Sequence, residues 1–269
     1  MKKNGNPKIS VITPSVRGEG LPLVQRALRH QDFQDFEWII VGGWKNLGSF
    51  ATHLQGVSNN PKYPAEYPIM VDEPKKLKGD VWSLNKAYNA GLREAKGELI
   101  VSWQDYTFAR PDALQGFWEH FKEEPNTLVS GLGNKYETDS WDVMIWEDPR
   151  GKDTFLSYYP TAFNEIEWNF CSVPKQALYD VGGFIEDFDQ GYGMDAYNVN
   201  ERIASLGKYD FKIDQSLKSY SLPHGRVKDW EEKNWIHENR YGIMKEKMIK
   251  EGKWPIAPYL TNVRQTDIV

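Results

Sequence analysis

The chain of 269 residues contains one cysteine, Cys171. That excludes an intramolecular disulfide framework and a cysteine-rich zinc site, and it points to a reducing, cytoplasmic location. No run approaches the roughly 18 apolar residues needed to cross a bilayer. The N-terminal Met-Lys-Lys-Asn-Gly-Asn-Pro leads into a short strand-like run, not the apolar segment of a signal peptide. No transmembrane segment is expected, and any membrane contact would be peripheral. Positive charge is also short, with 33 Lys and Arg against 38 Asp and Glu and a formal net charge of −5. Nucleic acid is therefore not an expected partner. Three catalytic devices are missing as well: a phosphate-binding P-loop, a Ser-centred nucleophile elbow and a zinc-spaced histidine pair. Enzyme classes built on them are not expected.

What the chain does have is rings. Phe, Trp and Tyr make up 14% of it, although the mean hydropathy is only −0.65. They crowd between Tyr136 and Phe170, a segment that also holds Trp141, Trp146, Tyr159 and Trp168. Such side chains build cores, and they also stack on the apolar faces of sugars.

The first 120 residues alternate strand and helix signals. Ile9 to Thr13 is a β-branched run stopped by Pro14, Leu21 to His30 has amphipathic helical spacing, and Glu37 to Val41 is a second strand closed by Gly42-Gly43. Residues 44 to 67 read as a long loop. A short strand at Pro68 to Val71, a helix at Trp82 to Ala95, a strand at Leu99 to Trp103 and a helix at Pro111 to Phe121 follow. This alternation predicts an α/β fold with a mostly parallel sheet whose ligand sits at the C-terminal ends of the strands. Gly131-Leu132-Gly133 lacks the third glycine and following helix of a dinucleotide motif and reads as a turn. Further strands are expected at Leu128 to Ser130, Val143 to Trp146 and Lys212 to Leu222, and helices at Pro174 to Val181, Ala196 to Leu206 and Asp229 to Glu251.

Asp105 stands at the end of an apolar strand between Gln104 and Tyr106. A carboxylate there can bind a hard cation, and it can equally cap a turn.

Residues 9 to about 225 resemble the inverting glycosyltransferase family 2, whose members have the GT-A fold. The resemblance is carried by Ile-Ser-Val-Ile-Thr-Pro-Ser-Val-Arg (9–17), Phe-Glu-Trp-Ile-Ile-Val (36–41), and Asn-Ala-Gly-Leu-Arg-Glu-Ala-Lys-Gly-Glu-Leu-Ile-Val (89–101). Trp-Gln-Asp-Tyr (103–106), Val-Gly-Gly-Phe-Ile-Glu-Asp-Phe (181–188) and Gly-Tyr-Gly-Met-Asp (191–195) continue it in order. The resemblance implies a GT-A type Rossmann-like sheet flanked by helices over residues 1–225, with a helical extension over 226–269 packing on it. It implies transfer of a sugar from a nucleotide-sugar, a UDP-sugar foremost, to a hydroxyl of a glycan, lipid-linked sugar or other acceptor. Pro14, Ser15, Arg17, Gly43, Gln104, Asp105 and Arg226 fall at donor-binding positions. Asp105 and His224 fall at metal positions for Mn²⁺ or Mg²⁺, and Asp195 at that of the catalytic base. Trp168, Asn169 and Tyr192 are the acceptor-side candidates.

The chain departs from the family pattern at several points. Gln104 and Tyr106 flank a lone carboxylate where the family has Asp-X-Asp, Gly42-Gly43 replaces Asp-Asp, and Met194 replaces the acid before Asp195. These losses motivate a second reading, a catalytically silent GT-A-like module that binds a nucleotide or glycan. A nucleotidyltransferase is a third option, weakened because Ser15 to Gly20 lacks the full Gly-rich loop. The final helix carries mixed charges beside Trp230, Trp235, Met244 and Met248, and is expected to pack on the catalytic domain, with dimerisation or membrane docking as alternatives.

Overall fold

The β-branched runs at residues 9, 36 and 99 are apolar almost without alternation, as strands buried on both faces must be. The computed structural model describes residues 5–42, 50, 64–72, 74–78, 83–151, 156–190, 195–223 and 241–260. In it these runs are the adjacent parallel strands β1 (Ile9–Pro14), β2 (Phe36–Val41) and β4 (Leu99–Trp103), with the short β3 (Ile69–Val71) outside β2. β1 pairs with β2 from Ile9↔Phe36 to Pro14↔Val41, and with β4 from Ile9↔Leu99 to Ile12↔Ser102.

Helix α1 (Leu21–Arg29) covers one face of these strands and α2 (Leu84–Glu94) the other. Leu21, Val24 and Leu28 join Ile9, Val11 and Trp38 in one core. Ala87, Tyr88 and Leu92 join Ile12, Ile39 and Val41 in the second. Alternate residues of each strand thus feed opposite cores, as a two-residue side-chain period requires.

Beyond β4 the sheet becomes mixed. β9 (Phe170–Pro174) runs antiparallel between β4 and β6 (Thr127–Tyr136), and β10 (Asp210–Ser221) runs parallel to β6. β5 (Thr107–Ala109) closes that edge, while β7 (Met144–Trp146) and β8 (Tyr158–Pro160) pair with β6 and β10. Helix α3 (Ala113–Glu123) packs against β6 and β10. The parallel reading holds for the first half. The second half departs from it because β9 returns through the sheet between two strands of the other direction.

Gly131-Leu132-Gly133 is not a turn but the middle of β6. The reason is close packing: a Cβ on Gly131 would lie 2.4 Å from the Leu217 carbonyl oxygen and 2.7 Å from the Phe170 ring. Gly131→Ala is expected to destabilise the protein by about 1–3 kcal/mol through overpacking. Urea denaturation measures it, and an unchanged midpoint would contradict the packing argument.

Helices α4 (Lys175–Asp180) and α5 (Asp195–Ser205) lie near their expected positions. Residues 241–250 form a helix, α6, whose Tyr241, Met244 and Met248 pack with Ile185, Phe188 and Ala257. The Ala257 N–H donates to the Val181 carbonyl at 2.8 Å, and the Leu260 N–H to that of Gly182 at 3.0 Å. Buried Arg202 also donates to the Val181 carbonyl, at 2.7 Å. The part of the expected helix before residue 241 lies outside the described residues. No helix among the described residues is long and apolar enough to cross a membrane.

Candidate functional site

β1 ends at Pro14 and β4 at Trp103, so both chains leave the sheet at the same end, where ligands bind in open α/β sheets. A cavity of about 290 Å³ opens there. Pro14, Ser15, Val16 and Arg17 form one side, Gln104 and Asp105 another, and Ser83, Leu84 and Tyr88 the α2 side. Five of the expected donor-side residues, Pro14, Ser15, Arg17, Gln104 and Asp105, therefore share one cavity.

The turn after β4 is held from several directions. Gln104 N–H donates to the Asn169 carbonyl at 3.1 Å, Thr107 Oγ1 to the Asp105 carbonyl at 3.2 Å, and Leu222 N–H to the Tyr106 carbonyl at 3.0 Å. Tyr106 takes φ +58°, in the left-handed region. Its ring packs over Gly20, where a Cβ would lie 2.4 Å from the ring. Burial, followed by the charges of Glu19 and Asp105, raises the Tyr106 hydroxyl above its ordinary range, so it stays protonated at neutral pH.

Asp105 is buried and engaged at both oxygens. Ser15 Oγ donates to Oδ2 at 2.8 Å, and Arg17 Nη2 lies 3.4 Å from Oδ1. Ser15 Oγ also accepts the Arg17 backbone N–H at 3.1 Å. Hard divalent cations need about six oxygen-rich ligands. Asp105 is the sole carboxylate on the described cavity wall, and a guanidinium competes for its lone pairs. Among the described residues no group of three His, Cys, Asp or Glu can hold a metal ion. Among the described residues the cavity therefore offers such an ion one carboxylate, already bonded to Ser15 and Arg17. His224, the other expected ligand, lies outside the described residues, as do Gly43, Tyr192, Arg226 and the side chain of Asp195.

Two acceptor-side expectations can be located. Trp168 is 4% exposed, its ring packed against Tyr88 and Phe184 at 5.1 and 4.8 Å and its Nε1–H donated to Asn200 at 3.0 Å. Its burial in the core, edge-on to these two rings, leaves little of it for a sugar to stack on. Asn169 sits beside Gln104, and its buried Oδ1 has no hydrogen-bond partner among the described residues. The ring-rich segment divides accordingly: Tyr159 and Phe170 are core, whereas Tyr136 and Trp141 cluster with Tyr220 at the sheet's end.

Sequence reasoning missed the support behind the α2 wall. Asp189 accepts N–H bonds from Asn85 and Lys86, at 2.9 and 3.1 Å, and so satisfies the N-terminus of α2 from a different segment. Burial pushes its carboxyl up to about 6 even though those N–H donors and Lys86 pull it down. Asn89 grips Phe184 at both backbone N–H and carbonyl, at 2.8 and 2.9 Å. No local signal reveals these contacts, since the partners lie about a hundred residues away.

Cys171 lies in the core of β9, where burial drives its thiol far above the ordinary range. It is unsuited to nucleophilic work. A wider cleft of about 820 Å³, lined by Arg110, Asn134, Asp148, Lys218 and Tyr220, opens at the β6–β10 edge.

No protein-family model matches the chain. A 113-residue stretch, 41% of the chain, is 28% identical to the ribonuclease P protein component of Microcystis aeruginosa (strain NIES-843 / IAM M-2473), covering 92% of that protein. A match over less than half the chain carries no argument about its function. In three dimensions the chain is similar to S. aureus TarS 1-349 in complex with UDP, with a TM-score of 0.56, 15% identity and 80% of this chain covered. The complex of TarS 1-349 with UDP-GlcNAc gives 0.56, 15% and 82%. The chain spans 60% of those structures and 37% of the longer TarS chain, at a TM-score of 0.54. At such identities the likeness speaks to fold, and the curled sheet flanked by helices is a GT-A-like Rossmann fold.

Proposed function

We propose that the protein is an inverting glycosyltransferase that moves a sugar from a nucleotide-sugar, a UDP-sugar foremost, to a hydroxyl of a glycan or other acceptor. The observation that carries this reading is the cavity at the ends of β1 and β4, where Arg17 and Asp105 meet. It lies on a fold shared with a protein that binds UDP and UDP-GlcNAc. In the reaction the acceptor oxygen bonds to the anomeric carbon as the bond from that carbon to the diphosphate oxygen breaks. The electron pair leaves with the diphosphate, and the acceptor proton passes to a base, the role assigned to Asp195.

A specific observation favours the second reading, a silent binding module: Gln104 and Tyr106 are neutral where two carboxylates are expected. A panel of nucleotide-sugars, scored for thermal stabilisation and then for release of free nucleotide with an acceptor, separates the two. Saturating donor is expected to add about 2–3 kcal/mol and raise the melting temperature by about 4–5 °C. Stabilisation without release selects the silent module. No stabilisation by any nucleotide sinks both.

A further inference from the structure

The diphosphate of a nucleotide-sugar brings negative charge into the cavity, and its leaving oxygen gains more as the bond to the sugar breaks. Positive charge must meet it. We propose that Arg17 supplies this charge directly and that the chain grips the donor diphosphate without a divalent cation, an inference that rests on the nucleotide-sugar reading above.

Arg17 lies three residues past the end of β1, lines the cavity and keeps 36% of its side chain exposed. A guanidinium carries five donors, and its planar fork matches phosphate oxygens in pairs. Its place is fixed independently of any ligand. Ser15 accepts its backbone N–H, Asp105 holds Nη2, and the Tyr106 ring lies 5.5 Å from the guanidinium carbon. Gly20 leaves the space in which that ring sits.

The neighbours suit the same role. An acidic triplet needs a metal ion between itself and a diphosphate, because like charges repel. Here Gln104 and Tyr106 are neutral, and the one remaining carboxylate is paired with Arg17. Glu19 is the further acid near Tyr106, 3.5 Å from its hydroxyl. Asp105 thus serves as the anchor of a guanidinium.

Calorimetric titration of the full chain with UDP, in excess EDTA and separately in excess Mn²⁺, tests this without relying on turnover. The dissociation constants are expected to agree within about threefold. Arg17→Gln is expected to weaken UDP binding by about 10- to 100-fold while leaving uridine binding unchanged, since uridine has no phosphate to grip. Arg17→Lys keeps the charge but loses the fork and is expected to fall between. Melting curves of both variants check that they fold, and the EDTA comparison needs no variant at all. UDP binding abolished by EDTA and restored by Mn²⁺ overturns the inference while leaving the nucleotide-sugar reading intact. Failure of the wild-type chain to bind any nucleoside diphosphate in either condition overturns both.

Discussion

Asp148→Ala is expected to cost the fold about 3–5 kcal/mol, because it strands a buried guanidinium. Asp148 and Arg150 sit in the segment after β7, 3% and 8% exposed. Arg150 Nε and Nη2 donate to the two Asp148 oxygens at 2.9 and 2.5 Å. Nη1 reaches Ser130 Oγ at 2.9 Å, and Nη2 the Gly131 carbonyl at 3.2 Å, both on β6. Asp148 in turn accepts the Gly133 N–H at 2.9 Å. Removing the carboxylate leaves the guanidinium with the desolvation cost and with only the half-exposed Glu167 carboxylate, 3.9 Å away, as a counter-charge.

Replacing both members, Asp148→Ala with Arg150→Met, is expected to recover part of the loss, since no charge is then stranded, although the Gly133 N–H and the Gly131 carbonyl lose their side-chain partners. Urea denaturation of the single and double variants measures the difference. A single-variant loss below about 1 kcal/mol would show that the pair is not the clamp its geometry suggests. The pH dependence has a definite sign. Burial raises the Asp148 carboxyl, but the Arg150 hydrogen bond and the Gly133 N–H outweigh it and hold the group below its ordinary 3.8. Its contribution is complete above that value and is lost as pH falls through the lower folded value. The double variant should lack this part of the acid sensitivity.

Asp195→Asn is expected to lower transfer by about 10²- to 10⁴-fold, the usual worth of a general base, while donor affinity stays nearly unchanged. The amide keeps the shape and loses the ability to take the acceptor proton. The chain leading to Asp195 is anchored: Asn89 holds Phe184 and the start of α2 holds Asp189, on the α2 side of the donor cavity. From Gln190 the five residues to Asp195 span at most about 18 Å, which keeps the start of α5 close to that wall. Single-turnover rates with UDP-sugar, together with UDP titration, separate the two effects. Undiminished turnover would remove Asp195 from the mechanism, and a parallel loss of donor binding would make it a donor contact.

The first half of the fold was legible because parallel strands buried on both faces show as unbroken apolar runs, and α1 carries its stripe at helical spacing. The cavity at the ends of β1 and β4 was legible for the same reason, since Ser15 and Asp105 each stand just beyond such a run. Errors arose where a partner decides the outcome. Gly131 looks like a turn until the Leu217 carbonyl and Phe170 ring take the space of its missing side chain. Trp168 looks like a ligand ring until the fold buries it beside Tyr88 and Phe184. The antiparallel insertion of β9 between β4 and β6 likewise depends on chain direction in three dimensions, which an apolar run does not encode.

The cavity between β1, β4 and α2 also has a position in time. The described residues lining it all lie between Pro14 and Asp105, so a ribosome has delivered this part of the lining before half the chain exists. The packing behind Tyr88 comes later with Trp168 and Phe184, and the far edge of the sheet waits for β10, which pairs with β5, β6 and β8 at once. Domains synthesised from the N-terminus at about 5–20 residues per second leave such an edge open for several seconds. During that interval β6 offers unpaired backbone to other chains, and the glycines that let β10 approach so closely also leave it poorly shielded. Vectorial synthesis therefore places the described wall of the cavity first and the exposed sheet edge after it.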